Sequence, residues 1–210
     1  MKYRTDEDFS AETFRRRAAR ETGEVDPMAY GDHLLNPDII HGLSDVNLRD
    51  AAVLVPIVDR GDRSSVILTQ RTANMRTHSG QVAFPGGAID PGDGSPEAAA
   101  MREAEEEIGL PSAFVEPLGR LPQYLAPTGF RITPVLAVVR DNYPMTINQD
   151  EVDDAFEVPF AFLMDPSNHR RESRVWQGKE RHFYIMPYGE RYIWGVTAGI
   201  LRTLYERLYA

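Results

Sequence analysis

Residues 95–109 carry signals for both ends of one helix, and this segment constrains the fold more strongly than any other. Ser95 is a favoured N-cap residue, Pro96 suits the first helical position, and Glu97 suits the positive end of the helix dipole. Gly109 readily adopts the left-handed conformation in which many helices end. We therefore predict a helix that starts at Ser95 and stops at Gly109.

Short apolar runs on both sides of this helix predict strands. Residues 51–58 suit a buried strand, although Pro56 predicts that one edge of it is unpaired. Helices are predicted at residues 10–20 and 192–208, whereas residues 152–163 fit either a strand or a helix. Further strands are predicted at residues 65–69, 81–84, 115–118, 132–139 and 182–186. Because strands and helices do not alternate regularly, we predict a mixed α/β (α+β) fold with a mixed sheet and helices on both faces.

The composition excludes several classes of protein. A chain of 210 residues with 42% hydrophobic and 26% charged residues fits one globular domain with its own core. A formal net charge of -9 argues against a general nucleic-acid binder, which needs excess Lys and Arg. The absence of cysteine excludes disulfides, Cys-ligated zinc and a thiol nucleophile. No secretory signal or run of about 18 apolar residues is present, so we expect a cytoplasmic protein without a membrane partner.

Three glutamates on the predicted helix indicate a metal site. Glu103, Glu106 and Glu107 are spaced so that a helix places them on one face, about 5–6 Å apart at Cβ. Like charges at this spacing destabilise a helix, and the dipole disfavours them near its C-terminal end. A hard divalent cation, which prefers carboxylate oxygens, would compensate for this crowding. The alternative is a solvated acidic helix face.

The segment before the helix favours the metal hypothesis over the solvated face. Residues 85–87, Pro-Gly-Gly, end a predicted strand, and a glycine-containing loop at 90–94 returns the chain to Ser95. Glycines allow backbone atoms to approach the carboxylates closely. A Gly-Gly pair alone is typical of a simple turn, so the indication comes from the combination of strand, glycines, loop and acidic helix.

These residues resemble the signature of the Nudix hydrolase family, G-x5-E-x7-R-E-U-x-E-E-x-G-U, in which U is aliphatic. Gly87 matches the first glycine, and residues 102–110 match the second half at every fixed position. Between them Asp93 stands in place of the glutamate, and eight residues instead of seven separate it from Arg102. Because of this difference from the signature, we assign Asp93 no role as a metal ligand. Its alternative role is to brace the loop.

A second segment is similar to the extra motif of the coenzyme A pyrophosphatase branch of that family. Residues 68–71, Arg76 and residues 80–87 carry this similarity, and the branch also has Asp at the longer spacing. The resemblance implies a Nudix-like α/β/α sandwich with a mixed central sheet. It implies metal-dependent hydrolysis of the pyrophosphate bond of coenzyme A or acyl-CoA, which yields 3',5'-ADP and 4'-phosphopantetheine or its acyl form.

Two other functions stay open at this point. The substrate of the same chemistry is alternatively another nucleoside diphosphate derivative, such as ADP-ribose, NADH or a dinucleoside polyphosphate. A non-catalytic Nudix-like ligand sensor is an alternative from a different class. Such a sensor would be expected to have lost the acidic residues of the signature, whereas Glu103, Glu106 and Glu107 are all present.

The resemblance also implies roles for individual residues. Mg2+ or Mn2+ would be bound by Glu106 and Glu107 as the principal ligands, together with the backbone carbonyl of Gly87. Glu103 would be a further ligand or the catalytic base. Arg102 would orient one of these carboxylates, with an exposed helix arginine as the alternative.

A further acid from outside the signature is expected near the site. Glu151 is the candidate for a metal ligand or general base, with Asp150, Asp153 and Asp154 as rivals. A solvated acidic loop is the alternative reading of this stretch.

The phosphates of the substrate need positive partners. Arg71 and Arg76 are the candidate substrate-binding residues, with structural salt bridges as an equal alternative for each. The expected partner is thus a small nucleotide substrate. A homodimer is a second hypothesis, for which no sequence feature provides evidence.

The chain divides at residue 48 in our interpretation. Residues 1–48 are predicted to form an N-terminal helix followed by an extension, rich in Gly, Pro, Asp and Asn, that wraps over the surface. Residues 49–210 are predicted to form the Nudix hydrolase domain.

Overall fold

A computed structural model describes residues 8–21, 28–37, 48–72, 80–176 and 178–210. The helices within these ranges are α1 (Ala11–Ala18), α2 (Pro96–Ile108), the single turn α3 (Phe160–Leu163) and α4 (Gly195–Leu208). The strands are β1 (Arg49–Asp59), β2 (Ser65–Arg71), β3 (Val82–Ala83), β4 (Gly86–Ala88), β5 (Val115–Arg120), β6 (Tyr124–Ala126), β7 (Phe130–Arg140), β8 (Val152–Pro159), β9 (Arg170–Trp176), β10 (Lys179–Tyr188) and β11 (Arg191–Trp194).

Eight strands form one mixed sheet. Its main path is β3-β2-β1-β7-β5, and β4, β6 and β8 pair with β1, β7 and β2 respectively. The central pair β1 and β7 is parallel along its whole length, from Arg49 opposite Phe130 to Asp59 opposite Arg140. The other pairs in this sheet are antiparallel. Strands β9, β10 and β11 form a separate antiparallel sheet, of which the sequence predicted only the middle strand.

The expected unpaired edge of β1 exists only locally. The strand lies in the middle of the sheet and is paired on both sides, so the prediction was wrong for the strand as a whole. On one side, however, β4 pairs with Ala51–Val53 and β2 pairs with Ile57 and Val58. Pro56 falls in the gap between these two partners, where its missing N–H costs no ladder hydrogen bond.

Helices cover both faces of the large sheet, which confirms the predicted fold class. Neighbouring residues of β1 send their side chains to two different cores, Leu54 to one and Val55 to the other. The first core includes Ala100, Ala104 and Ile108 of α2. The second core contains the buried side chains of α1 and α4, among them Ala11, Phe14, Ala198, Leu201 and Leu204.

Two predicted elements differ from the structure near the C-terminus. The predicted helix at 192–208 begins only at Gly195, because Ile193 and its neighbours pair with β10 as β11. The ambiguous stretch 152–163 divides at Pro159 into strand β8 and the helical turn α3. Strand β8 pairs with β2, which is far away in the sequence, whereas β11 pairs with β10 across a two-residue turn at 189–190. In both cases pairing with another strand overrides the helical pattern.

The predicted surface extension between 21 and 48 is more buried than expected where the structure describes it. Asp32 and His33 are buried in a 3-10 turn, and the Tyr124 hydroxyl donates a hydrogen bond of 2.9 Å to Asp32 Oδ1. Asn36 hydrogen-bonds to the backbone of His182 through both its amide nitrogen and its oxygen. This part of the chain therefore bridges the two sheets. The remainder of the predicted extension lies outside the described residues.

Helix α1 begins as predicted and contributes to the core. The Ser10 hydroxyl accepts a hydrogen bond of 3.2 Å from the Thr13 N–H, so Ser10 caps the helix. Phe14 is fully buried and meets Phe160 edge to face at a centroid distance of 5.7 Å. Residues on both sides of the division at 48 therefore share one hydrophobic core.

Replacing Phe14 tests how much this helix stabilises the domain. Phe14→Ala should lower the free energy of unfolding by about 3–5 kcal/mol, because it removes a fully buried ring and leaves a cavity. Glu12→Ala changes an exposed residue of the same helix and should cost less than about 1 kcal/mol. Urea denaturation of both variants measures the difference. Equal stabilities would contradict the role of α1 in the core.

Candidate active site

Helix α2 has the predicted ends. The Ser95 hydroxyl accepts a hydrogen bond of 3.1 Å from the Ala98 N–H, and Gly109 has a φ of 64°. The left-handed conformation at Gly109 stops the helix directly after the acidic segment. A Cβ at this position would also lie 2.9 Å from the backbone oxygen of Thr146, so the neighbouring loop requires glycine here as well.

Glu107 is the buried member of the acidic triplet. Glu107 is only 1% exposed. Its two carboxylate oxygens accept hydrogen bonds from different donors. Arg71 Nη1 lies 3.3 Å from Oε1, and the Gly86 N–H donates to Oε2 at 3.2 Å. Burial, together with the charges of Glu103 and Glu151, raises the pKa of Glu107 to about 7 against the opposing effect of these donors. A carboxyl group with such a pKa can bind or release a proton near neutral pH.

Glu103 lies against the backbone at Gly87. A Cβ at Gly87 would lie 2.5 Å from the carboxyl carbon of Glu103, closer than real contacts allow. Glycine is therefore required at this position by the space that the carboxylate occupies. Burial also raises the pKa of Glu103, and the charges of Glu106 and Glu151 add to this effect.

Arg102 connects two of the glutamates to the preceding loop. Its Nη1 donates to Glu103 Oε1 and to Glu106 Oε2, each at 2.9 Å. On its other side it binds Asp93 through two hydrogen bonds of 2.8 and 2.9 Å. This bidentate pair raises the pKa of Arg102 and lowers that of Asp93 to about 2. Asp93 thus anchors the arginine and braces the loop.

The three glutamates are not equivalent. The side chain of Glu106 is 53% exposed, whereas that of Glu107 is almost completely buried. Among the residues that the structure describes, no three acidic or histidine side chains are grouped closely enough to hold a metal ion. Arg102 and Arg71 neutralise part of the negative charge of these glutamates, a role that the sequence had suggested for a metal cation alone. The three glutamates still suit Mg2+ or Mn2+ as ligands, because their carboxylate oxygens are hard donors. Two of them, Glu103 and Glu106, already share one positively charged group, the Nη1 of Arg102.

A loop from another part of the chain closes the C-terminal end of α2. The Thr146 and Asn148 N–H groups donate to the carbonyl oxygens of Ile108 and Glu107, each at 2.9 Å. These carbonyls have no partner within the helix, so the loop satisfies them. The Asn148 side chain then donates to Glu151 Oε1 at 3.3 Å. The loop therefore sets the position of Glu151 relative to the helix.

The acidic residues outside the signature that were candidates for a metal ligand or general base lie in different surroundings. Glu151 is close enough for its charge to raise the pKa of both Glu103 and Glu107. Its rival Asp154 instead forms an ion pair with Arg191, and the rivals Asp150 and Asp153 are exposed.

The predicted substrate-binding arginines also differ. Arg71 forms the salt bridge with Glu107, which is the structural alternative that the sequence left open. Arg76 lies outside the described residues. Its predicted role stays a prediction.

Two residues at the site were not singled out by sequence reasoning. Gly86 was noted only as part of a glycine pair, although its N–H binds the buried carboxylate. Asn148 received no role, although it binds both α2 and Glu151. A backbone donor leaves no trace in residue type, and the asparagine acts on a helix far away in the sequence. An asparagine three residues before an acid was the only available signal.

Comparison with known proteins identifies the family. Residues 48–177 match the NUDIX domain family. The uncharacterized Nudix hydrolase NudL of Salmonella heidelberg (strain SL476) is 42% identical over 171 residues, which are 81% of this chain and 88% of that protein. NudL of Salmonella paratyphi B is 41% identical with the same coverage. The chain belongs to the Nudix family.

The same comparison defines the type of enzyme. The chain is a Nudix hydrolase, which acts on a pyrophosphate bond, and enzymes of this family generally use divalent metals such as Mg2+ or Mn2+. In structure it resembles the NUDIX domain of Shewanella oneidensis NrtR, solved with ADP ribose. The TM-score is 0.50 with 18% identity over 84% of this chain and 97% of that one, a similarity of fold. No helix in the described ranges is long and apolar enough to cross a membrane.

The raised pKa of Glu107 has a consequence for stability. In metal-free protein, the folded chain holds a proton between pH 4.5 and about 7 that the unfolded chain releases. The free energy of unfolding therefore falls as the pH rises through this window. Glutamine does not ionise, so Glu107→Gln should be more stable than the wild type by about 1–3 kcal/mol above this window.

Denaturant titrations with a metal chelator, below and above this pH window, measure the effect. The two proteins should have nearly the same stability at the acidic end and diverge toward neutral pH. A difference that is independent of pH would show that Glu107 is not protonated in the folded chain.

Proposed function

We propose that this Nudix hydrolase cleaves the pyrophosphate bond of coenzyme A or acyl-CoA, giving 3',5'-ADP and 4'-phosphopantetheine or its acyl form. One observation carries the proposal. Both donors to the buried Glu107 carboxylate, Arg71 and Gly86, belong to the segment 68–87 that is similar to the coenzyme A pyrophosphatase branch. The segment that suggests the substrate is thus in direct contact with the acidic helix of the Nudix signature.

The described parts of this segment form one structural unit. Thr69 and Gln70 of β2 pair with Ala83 and Val82 of β3. The Pro85 carbonyl accepts from the Leu54 N–H at 2.8 Å, and the following strand β4 pairs with β1. This pairing leads the chain from the end of β2 to Gly86 and Gly87, beside the glutamates. Its position supports a role in presenting the substrate to the acidic helix.

The proposed metal ligands are Glu103, Glu106, Glu107 and the carbonyl oxygen of Gly87. They offer hard oxygen donors at the junction of α2 and β4. A pyrophosphate is anionic and the chain has a net charge of -9, so the substrate needs positive charge at this site. Bound Mg2+ or Mn2+ would supply that charge and lower the pKa of a water molecule.

The residues of the chain provide proton transfer and orientation in this proposal. Glu103 and Glu151 are the candidates for the base that accepts a proton from the attacking water. Burial raises the pKa of Glu103, which makes its carboxylate a stronger base than an exposed glutamate. Arg102 positions Glu103 and Glu106 through its two hydrogen bonds. Arg71, together with Arg76, is proposed to bind phosphate groups of the substrate.

A matched pair of glutamine variants tests the site. Glu107→Gln should lower kcat by about 10²–10³-fold, or roughly 3–4 kcal/mol, as expected for loss of a metal ligand. Glu105→Gln removes the same charge from an exposed residue of the same helix and should retain wild-type activity. Initial rates at saturating metal measure both. Near wild-type turnover by Glu107→Gln would refute the assigned site, and its separately measured stability would show that folding is intact.

A substrate panel tests the specificity. The values of kcat/KM for coenzyme A, acetyl-CoA, ADP-ribose, NADH and a dinucleoside polyphosphate should favour coenzyme A or its acyl form. Mass spectrometry of the coenzyme A reaction in H2(18)O should show the label in only one of the two products. Preference for ADP-ribose or NADH would keep the hydrolase chemistry and overturn the proposed substrate. Hydrolysis of none of the five would contradict both.

A further inference from the structure

Strand β9 is an exposed edge strand. It lies at the end of the three-stranded sheet in the order β11-β10-β9, and all seven of its residues are exposed. Among the described strands, none pairs with its second edge. Such an edge presents backbone N–H and C=O groups that are ready to pair with another strand.

The apolar surface at one end of β9 also indicates association. Val175 and Trp176 have the two highest exposures of any large hydrophobic residue in the described part of the chain, 75% and 68%. They are adjacent in sequence and lie at the end of the exposed strand. Charged side chains commonly protect such edges, and β9 carries four of them. Large exposed apolar residues beside an edge are nevertheless typical of an interaction surface.

The sequence of β9 is complementary to itself when two copies run antiparallel. With a two-fold axis at Ser173, Glu172 of one copy lies opposite Arg174 of the other. On the same face, Arg170 lies opposite Trp176, a favourable pairing of a cation with an aromatic ring. On the other face, Arg171 lies opposite Val175. No like charges lie directly opposite each other in this register, and the ion pair occurs twice.

Neighbouring registers are disfavoured by charge. An axis at Glu172 would place this residue opposite its own copy and Arg170 opposite Arg174. An axis at Arg174 would place two copies of that arginine opposite each other. Like charges directly across a strand pair are destabilising, so the charges select Ser173 as the centre.

The charged side chains of this register are already held on one face of the sheet. Glu172 accepts a hydrogen bond of 2.6 Å from the Tyr192 hydroxyl. The guanidinium of Arg174 lies 5.3 Å from the ring centre of Trp194. Both contacts reach across to β11, so the two side chains lie on the same face of the sheet, as this register requires.

We propose that β9 pairs antiparallel with β9 of a second copy of this chain around a two-fold axis at Ser173. The homodimer joins the two three-stranded sheets into one continuous sheet. The ion pairs between Glu172 and Arg174 set its register, and Val175 and Trp176 become covered.

The mass in solution is the first test. Sedimentation equilibrium should give twice the chain mass of 23.7 kDa. A monomer at every soluble concentration would overturn the proposal. Hydrogen exchange would then report whether another segment of the same chain protects the amides of β9.

Two cysteine variants test the register. The chain has no cysteine, so any covalent dimer arises from the introduced thiol. Directly opposed Cα atoms are about 4.5–5.5 Å apart, within the range of a disulfide, so Ser173→Cys should cross-link under mild oxidation. Val175→Cys is the matched control, because its two copies would be about 13 Å apart along the strands. A dimer in which Ser173→Cys fails to cross-link, or Val175→Cys succeeds, would refute this interface.

Charge reversal tests the ion pairs without depending on one variant. Glu172→Arg and Arg174→Glu should each raise the dimer dissociation constant on the order of tenfold, because each places like charges opposite each other twice. A mixture of the two variants, or the double variant, should restore association. Restoration also shows that the single variants are folded. Equal affinities of all four proteins would exclude the register.

Discussion

The buried carboxylate of Glu107 is the interaction on which the arrangement of the site depends. A carboxyl group withdrawn from water is costly unless donors surround it. Here the donors are Arg71 at the end of β2 and the Gly86 N–H at the start of β4. The carboxylate therefore joins two separate strands to helix α2. The close packing of Glu103 on Gly87 follows from the same junction.

The negative charge of the acidic helix is balanced by more than one arginine. Arg102 binds Glu103 and Glu106, while Arg71 faces Glu107, so each carboxylate has a positive partner within the chain. The proposed cations would compete with these guanidinium groups for the same oxygens. Metal binding would therefore replace one positive partner of a carboxylate with another.

Sequence signals located the features that are encoded locally. The cap at Ser95, the stop at Gly109 and the spacing of the glutamates each depend on neighbouring residues, and the structure has the helix where they indicate. Features that depend on distant partners were missed. Strand β4 is too short and too rich in glycine to show a pattern, and it exists because β1 lies beside it. The contact of Asn148 with α2 likewise depends on how the loop folds back.

The loop that closes α2 has a consequence for variation among related sequences. Its amides at Thr146 and Asn148 grip the last turn of the helix, and Glu151 follows a few residues later. The number of residues between these points sets the distance from Glu151 to the acidic residues of the helix. Side chains along this segment can vary among relatives, but an insertion or deletion would change that distance.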